Sequence, residues 1–165
     1  MTNGKVRSLE DALRWRHVQA GSVVFTNGVF DLLHVGHVAL LEQARAEGAA
    51  LVVGVNSDHS ARRLGKGADR PLVPATERAR VLAALASVDC VVLFDEDTPL
   101  ALIRALKPDV LVKGADYERE QIVGAMDVEG WGGRVVRVPL VPNHSTSSLV
   151  RRLRGKDVTN GSASG

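Results

Sequence analysis

Aromatic residues make up only 4% of the 165-residue chain. A core built from it therefore rests on Val, Leu, Ile and Ala rather than on large rings. Cysteine is scarcer still. Cys90 stands alone, so an internal disulfide is excluded and a reducing compartment is expected. Its setting, Val88-Asp89-Cys90-Val91-Val92, predicts a small buried thiol. No apolar run approaches the ~20 residues of a membrane span. Met1-Thr2-Asn3-Gly4-Lys5 lacks the apolar stretch of a secretory leader. The expectation is a cytoplasmic protein with no membrane partner. Neither sign of charge dominates: the formal net charge is +2, too small to argue for a nucleic-acid partner. Basic residues do cluster locally, at Arg62, Arg63, Lys66 and Arg70 and again at Arg151, Arg152 and Arg154. Such patches suit a polyphosphate ligand as well as a solvated surface.

What is present is an ordinary balance, 45% hydrophobic and 24% charged, in a length that suits one α/β domain. That domain is expected over 1–154, with 155–165 as a small, polar, disordered tail. Compact β-branched runs alternate with helical periodicity. Val23-Val24-Phe25, Ala50 to Val55, Val91 to Phe94, Val110 to Val112 and Val135 to Val138 read as strands. Ser8 and Asp11 mark one helix start, and Thr98-Pro99 reads as an N-cap followed by proline at the first helical position. Helices are also predicted from about Val35, Ser57, Thr76, Glu118 and Ser147. The pattern predicts an α/β fold, a Rossmann-like, doubly wound, five-stranded parallel sheet. In such sheets ligands bind beyond the carboxyl ends of the strands, near the switch point.

The segment Thr26-Asn27-Gly28-Val29-Phe30-Asp31-Leu32-Leu33-His34-Val35-Gly36-His37 joins a strand to a helix. Helix starts offer free N–H groups and partial positive charge, which suits phosphate. Gly28 and Gly36 allow close backbone approach. His34 and His37, three apart, can point to one side and donate to phosphate oxygens as charge builds at an attacked phosphorus. Zinc ligation finds no Cys or third His in a sensible pattern. The segment is neither the dinucleotide G-x-G-x-x-G fingerprint nor a Walker A loop.

His34-Val35-Gly36-His37 resembles the HxGH signature of the cytidylyltransferase-like nucleotidyltransferases. Four segments sharpen the likeness: Thr26 to His34, Val53 to Asp58, Phe94 to Pro99, and Val112-Lys113-Gly114-Ala115-Asp116-Tyr117. Together they resemble the adenylyltransferases of ADP-heptose synthesis, over about Leu9 to Arg154. The resemblance implies transfer of AMP from ATP to a heptose 1-phosphate, with Mg²⁺ carried by ATP and no protein metal site. Alternatives are a cytidylyltransferase acting on a small phosphorylated alcohol such as glycerol 3-phosphate, and a non-catalytic nucleotide-binding module. The family is often fused behind a sugar kinase, so a separate kinase is implied here, and a homodimer is expected.

By the same resemblance His34, His37 and Lys113 are candidate catalytic residues. Thr26, Asn27, Gly28, Phe30, Gly36, Lys66, Arg78, Ser145, Thr146 and Ser147 are candidates for the nucleotide. Asp31, Asn56, Asp58, Arg70 and Asp116 are candidates for the acceptor. Several carry a plainer reading too. Asn56 to Asp58 suit helix capping, and Lys66 and Arg70 suit a solvated loop. Asp31 suits holding another active-site group. Arg78 stands at a helix start, the wrong end for a cation, which a phosphate partner would explain.

Overall fold

The computed structural model describes residues 4–155. Six strands form one sheet in the order β1-β4-β3-β2-β5-β6, and every neighbouring pair is parallel. They are β1 (Val6–Arg7), β2 (Val23–Gly28), β3 (Ala50–Asn56), β4 (Cys90–Phe94), β5 (Val110–Gly114) and β6 (Arg134–Val138). The five expected strands are all there. The sixth, β1, is a two-residue edge strand with Val6 opposite Val91. It is too short to carry any periodicity. β2 runs on through Thr26, Asn27 and Gly28, three residues beyond the expected Val23-Val24-Phe25.

The helices are α1 (Leu9–His17), α2 (Val35–Ala46), α3 (Asp58–Arg63), α4 (Ala75–Ala83), α5 (Leu100–Leu106), α6 (Ala125–Gly130) and α7 (Thr146–Leu153). Alternate strand residues face opposite sides, so each side of the sheet builds its own core. Val23, Phe25, Val52 and Leu111 pack with Ala12 of α1, Leu102 and Ile103 of α5, and Val128 of α6. Val24, Leu51, Val53 and Val112 pack with Leu41 and Ala44 of α2 and Ala79 and Leu82 of α4. Both cores are mainly aliphatic. Cys90 is buried in the first, and burial pushes its thiol pKa up to about 11, so it stays protonated.

Two helix boundaries differ from expectation. Pro99 is the N-cap of α5 rather than its first helical residue, and no side chain caps it. Thr98 therefore belongs to the preceding loop. Glu118 to Met126 is not one helix but a 3-10 turn, Arg119–Gln121, followed by α6. Gly124 separates them at φ 83°, a left-handed conformation that ends helical propagation. Of the expected tail only Gly155 is described; 156–165 lie outside the described residues.

From β2 the chain winds outward through β3 to β4, then returns to the other side of β2 for β5 and β6. The switch point thus lies between β2 and β5, and the loops leaving these strands diverge there.

Candidate active site

A cleft of about 900 Å³ opens at that switch point. Its floor is the end of β2. Thr26 is fully buried and its hydroxyl donates to the Val112 carbonyl, 2.9 Å, tying β2 to β5. Asn27 follows, and its side-chain Oδ1 is buried with no partner among the described residues. Gly28 is tightly enclosed, since a Cβ there would lie 3.0 Å from the Phe30 ring. Phe30 holds φ 52°, unusual for a bulky residue, and this turns its ring edge-on to His37 at 5.2 Å.

The two histidines cap α2. The His34 Nδ1 accepts from the Gly36 N–H, 3.1 Å, and the His37 Nδ1 accepts from the His34 N–H, 3.3 Å. A backbone N–H can only donate, so both Nδ1 atoms must be unprotonated. Each ring therefore carries its proton on Nε2, which has no partner among the described residues. The rings stack, with centroids 3.8 Å apart. Burial, then the charges of His34 and Lys66, lower the His37 pKa to about 4. Burial, then His144, lowers that of His34. At neutral pH the pair is uncharged and presents two N–H donors. Gly36 is required here, because a Cβ would meet the His34 ring at 2.9 Å.

Lys113 rises from β5 beside this pair. Its Nζ donates to the Asn27 carbonyl, 3.3 Å, and lies 4.9 Å from the centre of the Tyr117 ring. Burial lowers its pKa to about 8, with Asp116 opposing and Lys66 reinforcing. Lys66, Arg70 and Asp116 also line the cleft. From the far side comes the start of α7, where Ser145 caps the helix by accepting from the Ser148 N–H, 3.1 Å. Ser145, Thr146 and Ser147 line the cleft.

Three expected contacts are spent within the protein. Arg78 does not line the cleft. Its guanidinium is fully buried and donates to Val73 O at 2.8 Å, Val29 O at 2.5 Å and Asp58 Oδ1 at 2.8 Å. A cation at the start of α4 is thus neutralised by acceptors folded around it, and no phosphate is needed to explain it. Asp58 is likewise turned away from the cleft, accepting from Arg78 and the Ala75 N–H. Asp31 lines the cleft, but its carboxylate accepts from Arg70 Nε at 2.6 Å, Leu72 N–H at 2.8 Å and Val73 N–H at 2.9 Å. Burial acts to raise its pKa; the Leu72 and Val73 N–H groups and Arg70 outweigh that and hold it below the usual range. The Asp31 carboxylate thus pairs with Arg70 Nε and pins the loop that carries Arg70 to the turn after β2. The remaining candidates are brought to one cleft. Sequence reasoning passed over Asp97, Thr98, Tyr117 and His144, which line it as well. The signal for the first three was available, since they lie in the motifs Phe94 to Pro99 and Val112 to Tyr117.

Residues 25–153 match the model of the family described as cytidylyltransferase-like. The chain belongs to this cytidylyltransferase-like family. It is a nucleotidyltransferase, and HxGH is where the family signature falls in it. The chain is 61% identical over 145 residues to the bifunctional protein HldE of Acidiphilium cryptum, covering 88% of this chain and 29% of that protein. It is 53% identical over 153 residues to HldE of Methylobacillus flagellatus, covering 90% of this chain and 31% of that one. The chain thus spans under a third of the length of these curated relatives. Among solved structures, the lipopolysaccharide core biosynthesis protein of Thermoplasma volcanium is similar, with 28% identity and TM-score 0.62 over 74% of this chain and 98% of that one. The pantoate-beta-alanine ligase of Francisella tularensis shares the fold at 15% identity and TM-score 0.59, over 94% of this chain and 81% of that one. No helix among the described residues is long and apolar enough to cross a membrane.

Proposed function

We propose that this cytidylyltransferase-like chain transfers AMP from ATP to a heptose 1-phosphate. A phosphate oxygen of the sugar 1-phosphate attacks the α-phosphorus, the bond to the β-phosphate breaks, and ADP-heptose and pyrophosphate form. One observation carries the reading: two neutral imidazoles with free Nε2–H groups stand beside Lys113 and the α7 start in one cleft. Donors fixed before reaction stabilise charge that develops at phosphorus without reorganising, which is the electrostatic route to acceleration. In-line displacement needs this and positioning more than covalent catalysis.

His34 and His37 donate to α-phosphate oxygens, and Lys113 neutralises charge between the α- and β-phosphates. The N–H groups and hydroxyls of Ser145 to Ser147 receive the β- and γ-phosphates. Mg²⁺ enters with ATP as part of the substrate and neutralises phosphate charge. Heptose enters the reading through the identity to the HldE proteins. A kinase activity that phosphorylates the sugar, on the same or another chain, must supply the acceptor.

Pyrophosphate release with heptose 1-phosphate and each of four nucleoside triphosphates tests this. Release with ATP is expected. Preference for CTP with glycerol 3-phosphate would replace it with the cytidylyltransferase reading. ATP binding with no release for any acceptor would point to a non-catalytic module.

A further inference from the structure

Tyr117 lines the cleft and has no role in the reaction so far. It closes the motif Val112 to Tyr117, which also carries Lys113. In an extended strand, residues four apart lie roughly 13 Å from each other. Here the chain turns back instead. β5 ends at Gly114, and the Tyr117 N–H donates to the Gly114 carbonyl, 3.1 Å, closing a tight turn. Glycine suits that place, because a Cβ on Gly114 would lie 2.6 Å from Asp116 Oδ1. The turn is fastened to β6. The Ala115 N–H donates to the Val138 carbonyl, 2.8 Å, and Arg137 Nη1 donates to the Tyr117 carbonyl, 3.2 Å. The Tyr117 ring is thereby folded back over its own strand, with its centre 4.9 Å from Lys113 Nζ.

The ammonium has few other neighbours. It carries three N–H donors, and one of them reaches the Asn27 carbonyl at 3.3 Å. Among the described residues no carboxylate pairs with it directly. Asp116, from its own turn, favours the charged form through charge alone, while burial and the Lys66 cation of the Gly-rich loop oppose it. His34 and His37, at the start of α2, are uncharged at neutral pH. Arg137, on β6, is engaged with the Tyr117 carbonyl and with Glu118. The face of an aromatic ring is partly negative and attracts a cation. A carboxylate in its place would neutralise the lysine and compete with phosphate for its donors. A ring holds the cation, leaves its charge in place and occupies none of its N–H groups in a strong hydrogen bond.

We infer that Tyr117 is a positioning residue whose ring holds the Lys113 ammonium in the cleft with its donors free for phosphate. The inference rests on the proposed role of Lys113 at the triphosphate. It adds what keeps a part-buried cation in place without an ion-pair partner.

The test compares the full-length parent chain with Tyr117→Phe and Tyr117→Leu. Tyr117 is 42% exposed, so neither substitution opens the core. Lys113 is first titrated without any substrate, from the pH dependence of its acetylation by acetic anhydride, followed by mass spectrometry of the peptide that carries it. The parent midpoint is expected near about 8. Leucine keeps apolar bulk over the amine but removes the ring face, so Tyr117→Leu should lower the midpoint by about half a pH unit. Tyr117→Phe keeps the ring and should keep the parent midpoint. The alkaline limb of kcat/KM for ATP should follow, leaving Tyr117→Leu about twofold below the parent at about pH 8, with Tyr117→Phe restoring the parent profile. A midpoint unmoved in Tyr117→Leu would overturn the inference, because the ring would then not act on the ammonium. So would an equal fall in Tyr117→Phe, which would assign the effect to the hydroxyl, or a raised KM for either substrate with the midpoint unmoved, which would make the ring a substrate contact. Failure of the proposed function is distinguishable, since the parent would then release no pyrophosphate with heptose 1-phosphate while the acetylation midpoints still report the contact.

Discussion

At the scale of single residues, the chemistry of the cleft rests on protonation states fixed by backbone. His34 and His37 can donate only because their Nδ1 atoms are occupied by N–H groups. His34→Ala and His37→Ala are each expected to lower kcat at least about tenfold while the protein still folds, with a stability loss of about 1 kcal/mol from the lost α2 cap. Near-normal turnover in both variants would sink the assignment. Lys113 makes a prediction in pH. Burial lowers its pKa to about 8, so it is charged below that pH and loses its charge as pH rises through it. If, as proposed, the charged form serves phosphate, kcat/KM for ATP should fall on the alkaline side of about 8. In Lys113→Arg that limb should disappear, because a guanidinium stays charged. A rate profile from neutral pH upward on both proteins checks it, and an unchanged limb in the variant would assign the titration elsewhere. The histidine pair was legible in the sequence because a strand–glycine–helix junction dictates where it goes, and Lys113 only through the resemblance of Val112 to Tyr117 to the family's segment. Arg78 was not. A cation at a helix start suggests a missing anion, and nothing local shows that the carbonyls of Val29 and Val73 fold over it.

At the scale of elements, α7 is the short helix whose start lines the cleft and, in the proposed reaction, receives the β- and γ-phosphates. Its start depends on one cap, the Ser145 side chain accepting from the Ser148 N–H. Replacing an N-cap serine by alanine costs about 1 kcal/mol of helix stability. Ser145→Ala is expected to raise KM for ATP several-fold with a smaller change for the acceptor, and steady-state kinetics with each substrate varied separates the two. Most elements were legible because burial imposes a pattern, as in β3, whose seven residues are all buried and read as one continuous run. Those that were not lacked a period to read. β1 has two residues, and the Glu118–Met126 segment looks helical until Gly124 takes a positive φ.

At the scale of the whole molecule, Arg78 joins three parts of the chain: the turn after β2 through Val29, the loop before α4 through Val73, and α3 through Asp58. Arg78→Met is expected to cost about 3 kcal/mol, the lower end for breaking a buried pair because Asp58 keeps some contact with water. Urea unfolding would measure it. A loss under about 1 kcal/mol would mean that the acceptors relax onto solvent. Fold class followed from alternation alone. The unity of the cleft did not, because its walls come from Thr26, Asn56, Lys113 and Ser145, far apart in sequence and joined only by strand order.

The occupied Nδ1 atoms have one more consequence. With both lone pairs engaged, neither imidazole can take a proton from an incoming nucleophile. Water and alcohols need such help, whereas a phosphate monoester is already mostly dianionic near neutrality, its second pKa being about 6. A cleft furnished this way would hold ATP in the open without squandering it on hydrolysis. ATP turnover without an acceptor should remain below about a hundredth of the rate with one, because proton removal by a placed base is worth roughly that factor or more.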